Sequence, residues 1–167
     1  MSSTPNSPVP IDVRHDCSAF SCGEPALDGY LLRFALTNDR AGAAKTFVVT
    51  GEGDEVIAYY SLAAGQVTYS DAPERLKKGL SQNPVPIILL ARLAVDTRWQ
   101  RKGIGRSLVR DAIRKVLNAS QYIGIRALAV QAKDEKAAAF YRSIAFEPFP
   151  GDPLKLALLL KVARISM

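Results

Sequence analysis

The stretch LLARLAVDTRWQRKGIGRSLVRDAI, from Leu89 to Ile113, constrains the fold more than any other part of the chain. An apolar run of strand character ends at Asp96, a short basic loop follows, and a helix opens at Gly103-Ile104-Gly105. Ile104, Leu108, Ala112, Ile113, Val116 and Leu117 then share one helical face as far as about Asn118. A buried strand feeding an amphipathic helix must cover both with further layers of secondary structure. The loop also has a chemistry. Glycines let the backbone approach a ligand closely and aim several N–H groups at one point. The helix N-terminus adds unpaired donors and a positive dipole end, which suits a pyrophosphate.

The rest of the chain supplies the other layers. Residues Met1 to Pro10, rich in serine and proline, read as a flexible leader, and a length of 167 suits one domain over 11–167. Glu24-Pro25 opens a helix, proline being tolerated in the first turn. Leu27, Tyr30, Leu31 and Phe34 form its predicted buried stripe. Asn38 to Ala43 reads as a glycine-containing connection. Thr46–Thr50 and Val56 to about Tyr69 read as antiparallel strands joined by Gly51-Glu52-Gly53-Asp54. Ser70 to Pro86 is a polar loop with room for one short helix. Ile87–Val95 and Ala127–Gln131 are buried strands, and Asp134 can N-cap an alanine-rich helix to about Ser143. Phe146–Phe149 and Leu154–Leu160 close the chain as strands. The predicted fold class is α/β (α+β), one layered domain with a mixed central sheet flanked by helices.

Composition excludes several classes. At 48% hydrophobic and 23% charged residues, wholesale disorder is ruled out. No run approaches the ~18 apolar residues of a membrane span, and the start lacks a basic region followed by an apolar one, so the expected location is cytoplasmic. With only Cys17, Cys22 and His15 available, there is no zinc set and no histidine triad, and no metal is expected. The two cysteines read as small, partly buried thiols.

Charge points the other way, toward a ligand. Between Arg92 and Lys115 stand eight basic residues against Asp96 and Asp111, an excess equal to the whole chain's net charge of +6. Such clustering suits a phosphorylated cofactor or nucleic acid, or else a solvated helix face. A Walker A loop, GxxxxGK followed by Ser or Thr, is absent. A Rossmann fingerprint is excluded as well, because Leu108 stands where its third glycine belongs. Arg98, Arg101, Lys102 and Arg106 add positive charge around the glycines. Trp99, in the same loop, reads either as a lid or as a packed anchor.

Gln100-Arg101-Lys102-Gly103-Ile104-Gly105 resembles the Q/R-x-x-G-x-G/A acetyl-coenzyme A motif of the GNAT N-acetyltransferase superfamily. The strand before it, and Asp134 with Phe140-Tyr141 and Ala145-Phe146 after it, fall where that superfamily places them. Ala145 replaces the usual glycine. FSCGEPALDGYL, TFVVTGEGDEVIAYYSLAAGQV, LARLAVD and AAAFYRSIAFEPF are further similar to the toxin branch of these enzymes. Those toxins pair with ribbon–helix–helix antitoxins and acetylate the α-amino group of aminoacyl-tRNA, stopping translation.

The resemblance implies acetyl-CoA as cosubstrate, in a cleft between two central strands. It assigns Leu93, Ala94 and Val95 to align pantetheine and supply an oxyanion donor. Arg101, Lys102, Gly103, Ile104, Gly105 and Arg106 take the pyrophosphate, with Asp134 and Phe140 also on the coenzyme. Tyr141 becomes the general acid for the departing thiolate. A model α-amino group has a pKa of about 7.7–8.0 and an ester lowers it, so no strong base is needed. Candidate tRNA contacts are the cations outside the motif: Arg33, Arg40, Lys45, Arg75, Lys77, Lys78 and Arg92. Arg92 interrupts an apolar strand, so it is expected to face the cleft rather than lie buried unpaired. A homodimer and an antitoxin partner are implied, and no membrane. The competing readings are a GNAT enzyme for a small amine or protein N-terminus, and a non-catalytic acyl-CoA-sensing or nucleic-acid-binding module.

Overall fold

The computed structural model describes residues 5–166, so Met1–Thr4 of the expected leader lie outside the described residues. The chain divides into two units. The first holds the described residues up to Ala63 together with Ala91–Ala112. The second holds Ala64–Leu90 together with the described residues from Ile113 onward.

In the first unit, β1 (Val9–Pro10) pairs antiparallel with β2 (Lys45–Thr50), Val9 opposite Val48. A strand therefore lies within the segment that composition marks as leader. Pro10 is tolerated there because β1 is an edge strand. β2 continues antiparallel into β3 (Val56–Val67), with a bulge between Val49 and Thr50 next to the glycine turn. Thr46 and Ser61 hydroxyls, both buried, meet at 2.8 Å across this pair. Helix α1 (Pro25–Arg33) buries Tyr30 and Leu31, as the spacing predicts.

Phe34 does not join that stripe. It is 55% exposed because the chain leaves helical geometry there, with φ −123 and ψ −25, and Ala35 is buried instead. The expected connection from Asn38 is in fact the body of α2 (Ala35–Ala41). Asn38 and Asp39 are weak helix formers, but Asp39 accepts from the Thr46 N–H at 3.0 Å and ties α2 to β2. Gly42 at φ +76 ends the helix. Phe20, Tyr30, Leu31, Val48, Val56, Tyr59 and Ala94 form the core here, with Phe20 edge-on to Tyr59 at 5.6 Å.

In the second unit, the first half of β4 (Val85–Val95) pairs parallel with β5 (Ala127–Gln131), Ile87 opposite Ala127. Antiparallel β7 (Asp152–Leu159) follows β5, and β6 (Glu147–Phe149) lies outside β7. The strand order is β1-β2-β3-β4-β5-β7-β6, a mixed sheet as expected. The polar loop holds a 3₁₀ turn, Tyr69–Asp71, and the short α3 (Glu74–Lys77), whose Leu76 joins Val67, Val85, Ile87, Ala127, Ala129 and Phe149 in the core. Each such large aliphatic side chain contributes about 1.5–3 kcal/mol by burial. The last strand stops at Leu159, and Leu160–Ser166 turns into α6 rather than extending it.

Two elements carry the expected motifs. Helix α4 (Ile104–Ala119) follows the basic loop, and α5 (Glu135–Arg142) follows Asp134. The Asp134 carboxylate accepts from the Ala137 N–H at 2.8 Å, the anticipated N-cap.

Candidate active site

In the first unit, β4 delivers Leu93, Ala94 and Val95 to a buried carboxylate. Ala94 is packed in the core, while Leu93 and Val95 are half-buried. Asp96 is 1% exposed. Its Oδ1 accepts from the Arg98 N–H at 2.9 Å and from Arg98 Nε at 3.0 Å. Its Oδ2 accepts from the Ser21 N–H and from Arg98 Nη2, both at 3.2 Å. Burial pushes this carboxyl up, but the bonds from the Arg98 side chain, the two N–H groups and the Arg98 charge outweigh burial and hold it below the ordinary carboxylate value.

Arg98 Nη2 also reaches Glu55 Oε1 at 2.7 Å. Its guanidinium is thus committed to two carboxylates, which corrects its expected place among the charges offered to an anion. The signal for this network was the Asp-x-Arg spacing after a strand, which suits an aspartate capping the next turn. Glu55, more than forty residues away, carried none.

The basic loop is locally strained. Arg101 has φ +63 and Gly103 φ +82, two left-handed residues within three positions. A non-glycine there is uncommon, and such strained positions cluster at ligand-binding turns. The Gly103 carbonyl takes the first α4 bond from the Ser107 N–H at 3.1 Å, so the helical N–H donors left without intrahelical acceptors begin at Ile104. Arg101, Lys102 and Arg106 are exposed around this turn. Trp99 is half-buried: a Cβ on Gly51 would lie 3.5 Å from its ring, and Lys102 Nζ stands 5.2 Å over it. It anchors the loop.

The second unit holds Asp134, Phe140 and Tyr141. Tyr141 is 6% exposed, with Phe140 edge-on at 5.1 Å and Phe146 at 5.4 Å. Burial pushes its phenol up to about 12, so the proton stays on the oxygen through neutral and mildly alkaline pH. Ala145, in the glycine position of the motif, has φ +79. An L-residue there costs about 1–2 kcal/mol, against about 0.5–1 kcal/mol for the extra freedom of glycine when unfolded. Ala145→Gly is therefore expected to raise stability by about 0.5–1 kcal/mol and Tm by roughly 1–4 °C. A thermal melt with an unchanged or lower Tm contradicts this.

The candidate acceptor-side cations are placed unequally. In the first unit, Arg33 and Arg40 are exposed, and Lys45 Nζ is held by the Asp39 carbonyl at 2.9 Å. Half-buried Arg92 lays its guanidinium carbon 3.5 Å from the centre of the Tyr30 ring, a cation–π stack. In the second unit, Lys77 pairs with Glu74 at 3.3 Å and stands over Tyr69, Arg75 pairs with Glu147, and Lys78 is exposed.

Other reactive groups are spent structurally. His15 is 8% exposed, and its Nδ1 accepts from the Asp12 N–H at 2.9 Å. Burial, with Arg14 nearby, holds its pKa below the ordinary value, so it is a neutral core residue. Cys17 and Cys22 are free thiols, each pushed up to about 11, chiefly by burial. Among the described residues no group of acids, cysteines or histidine is placed to hold a metal.

Comparison with known proteins meets this geometry. The sequence profile of the acetyltransferase (GNAT) family matches residues 14–146. A "tRNA-acetylating toxin" from Mycobacterium tuberculosis is 45% identical over 159 residues, covering 95% of each chain. Among solved structures, "AtaT complexed with acetyl-methionyl-tRNAfMet" matches with a TM-score of 0.89 at 28% identity, over 98% of both chains. A tyrosine-to-phenylalanine mutant of AtaT, bound to the C-terminus of the antitoxin AtaR and to acetyl-CoA, matches with a TM-score of 0.82 at 27% identity, over 99% of this chain and 98% of that one. Since the profile spans most of the sequence and one relative shares nearly half its residues end to end, this chain belongs to the acetyltransferase (GNAT) family.

Proposed function

We propose that the chain moves the acetyl group of acetyl-CoA to the α-amino group of aminoacyl-tRNA and so blocks translation, as the toxin of a toxin–antitoxin pair. The observation that carries this is the 45% identity to a tRNA-acetylating toxin over 95% of both chains. The residues present fit the coenzyme: two left-handed positions, a helix start and three exposed cations form a cradle for a pyrophosphate. When bound, acetyl-CoA supplies an activated acyl thioester. Arg101, Lys102, Arg106 and the N–H groups from Gly103 to Gly105 hold its phosphates, while the backbone of Leu93–Val95 orients the pantetheine arm. Asp134 and Phe140 belong to the coenzyme side.

Tyr141 keeps its proton on Oη and gives it to the departing thiolate. No residue is needed to deprotonate the acceptor before attack, because an α-amino group beside an ester is already largely neutral near physiological pH; the proton that the nitrogen sheds after attack passes to solvent, and solvent restores the proton that Tyr141 gives to the thiolate. Buried His15 is then no loss. Arg33, Arg40, Lys78 and Arg92 are the acceptor contacts of choice, and Lys45 and Lys77 can contribute only by leaving Asp39 and Glu74. The partner antitoxin is of the ribbon–helix–helix type and the active form a homodimer. With no helix among the described residues long and apolar enough to cross a membrane, and tRNA as acceptor, the site of action is the cytoplasm.

The test is transfer of label from acetyl-CoA to bulk charged tRNA at two salt concentrations. Label is expected on the aminoacyl group. For about 6–10 phosphate contacts, tRNA affinity falls roughly 10³–10⁵-fold between about 50 and 200 mM salt. Bound acetyl-CoA with no label on tRNA overturns the reading in favour of a small amine or a protein N-terminus.

A further inference from the structure

Arg92 is half-buried, unlike the exposed Arg33 and Arg40 of the same unit. It shares its face of β4 with Ala94, by the strand period of two, and Ala94 packs with Tyr30 and Tyr59. The groups around its charge are already committed to other partners. Tyr30 Oη accepts from Asn38 Nδ2 at 3.2 Å, and Tyr59 Oη donates to the Leu27 carbonyl at 2.7 Å. Burial pushes the Tyr59 phenol far up against the pull of Arg92, so it stays neutral. Asp28 and Cys22 also act on Tyr59. The Asp28 carboxylate accepts from the Cys22 N–H at 2.9 Å, and burial raises the Cys22 thiol, which reaches the Glu24 carbonyl at 3.7 Å. Among the described residues no carboxylate pairs with Arg92 and no acceptor takes its N–H groups; the Tyr30 ring alone faces the guanidinium. A charge drawn out of water without a counterion is costly. This one stands one residue before Leu93–Val95.

We propose that the uncompensated charge of Arg92 keeps the α-amino group of the acceptor in its neutral, nucleophilic form. This rests on the proposed transfer to aminoacyl-tRNA, with Leu93–Val95 beside the thioester. A cation disfavours a second positive charge near it, so the bound ammonium gives its proton to solvent at a lower pH than the free one. The free amine then attacks. Coulomb interaction falls only with inverse distance, so Arg92 acts from its place on the strand without touching the nitrogen. The missing counterion is what this requires, because a carboxylate or a phosphate on the guanidinium would cancel the field. Stacking on Tyr30 holds the charge in place and leaves it positive.

The experiment measures single-turnover acetyl transfer to charged tRNA across mildly acidic to mildly alkaline pH for wild type, Arg92→Met and Arg92→Lys, with Tm alongside. Methionine keeps an apolar contact with the Tyr30 ring and removes the charge; lysine keeps the charge over the ring. Arg92→Met is expected to move the midpoint of the rising limb up by about 0.5–1 unit, slowing transfer about 3–10-fold at the acid end and little on the alkaline plateau. Arg92→Lys is expected to keep the wild-type midpoint. Arg92→Gln supplies a second neutral side chain should the methionine chain melt early. The proposal is overturned by a neutral variant whose midpoint stays at the wild-type value, or by a lysine variant whose midpoint moves as far as that of methionine. A neutral variant that raises KM for tRNA with an unmoved midpoint also overturns it, since that marks Arg92 as a phosphate contact. If wild type puts no label on tRNA, the transfer reading itself falls, and this proposal with it.

Discussion

Tyr141→Phe is expected to lower acetyl transfer about 10²–10⁴-fold, the usual span for a lost general acid, while acetyl-CoA still binds. The substitution removes one oxygen and keeps the ring between Phe140 and Phe146, so the fold should persist. The phenol is pushed up to about 12 by burial, which also fixes the pH dependence. The rate should rise as the acceptor amine deprotonates, with no falling limb from Tyr141 in the mildly alkaline range. Single-turnover rates of the two proteins across pH, with coenzyme affinity measured in parallel, decide the matter. A phenylalanine variant of near-wild-type rate would reduce Tyr141 to a core residue.

Asp96→Ala carries the largest expected effect on stability. The change leaves the Ser21 and Arg98 N–H groups, both partly buried, without their acceptor, and a donor left unsatisfied out of water costs up to about 1–3 kcal/mol. Part of this is offset because a buried carboxylate no longer has to be desolvated. A net loss of about 3 kcal/mol corresponds to a fall in Tm of roughly 6–12 °C. The pH dependence has a definite sign. Asp96 is held below its ordinary value in the folded state, so its contribution is complete above the unfolded carboxylate pKa. It is lost as pH falls through the folded one. The gap in stability between wild type and the alanine variant should therefore narrow on acidification. Denaturant titrations over a pH series test it: a constant gap, or none at neutral pH, contradicts the role assigned to Asp96.

Much of the fold was legible because its signals are short-range. The apolar run into the α4 stripe, the Asp134 cap, the glycine turn after β2 and the proline at the start of α1 each act within a few residues. The same holds for the basic loop proposed to take the coenzyme, whose glycines and charges stand together in Gln100–Arg106. The errors lie where a local signal was overridden. Asn38 and Asp39 suggest a connection, but the Asp39 carboxylate is satisfied by the Thr46 N–H across the chain. Phe34 fits the helical period, but the helix ends one residue before it. The leader composition hides β1, which exists only because β2 offers it an edge.

By itself, the sequence determined the layer class and marked a glycine-containing basic turn suited to phosphate, because periodicity and motif spacing are properties of neighbouring residues; the coenzyme and the family came from the resemblance those residues carry. Only the tertiary structure decided which charges remain available to a ligand. Arg98 is taken by Glu55 as well as by neighbouring Asp96, and Arg75 by Glu147. Apart from Arg98–Asp96, these pairs join groups tens of residues apart in the chain. Their partners are chosen by how strands and helices pack, and no local pattern records that choice.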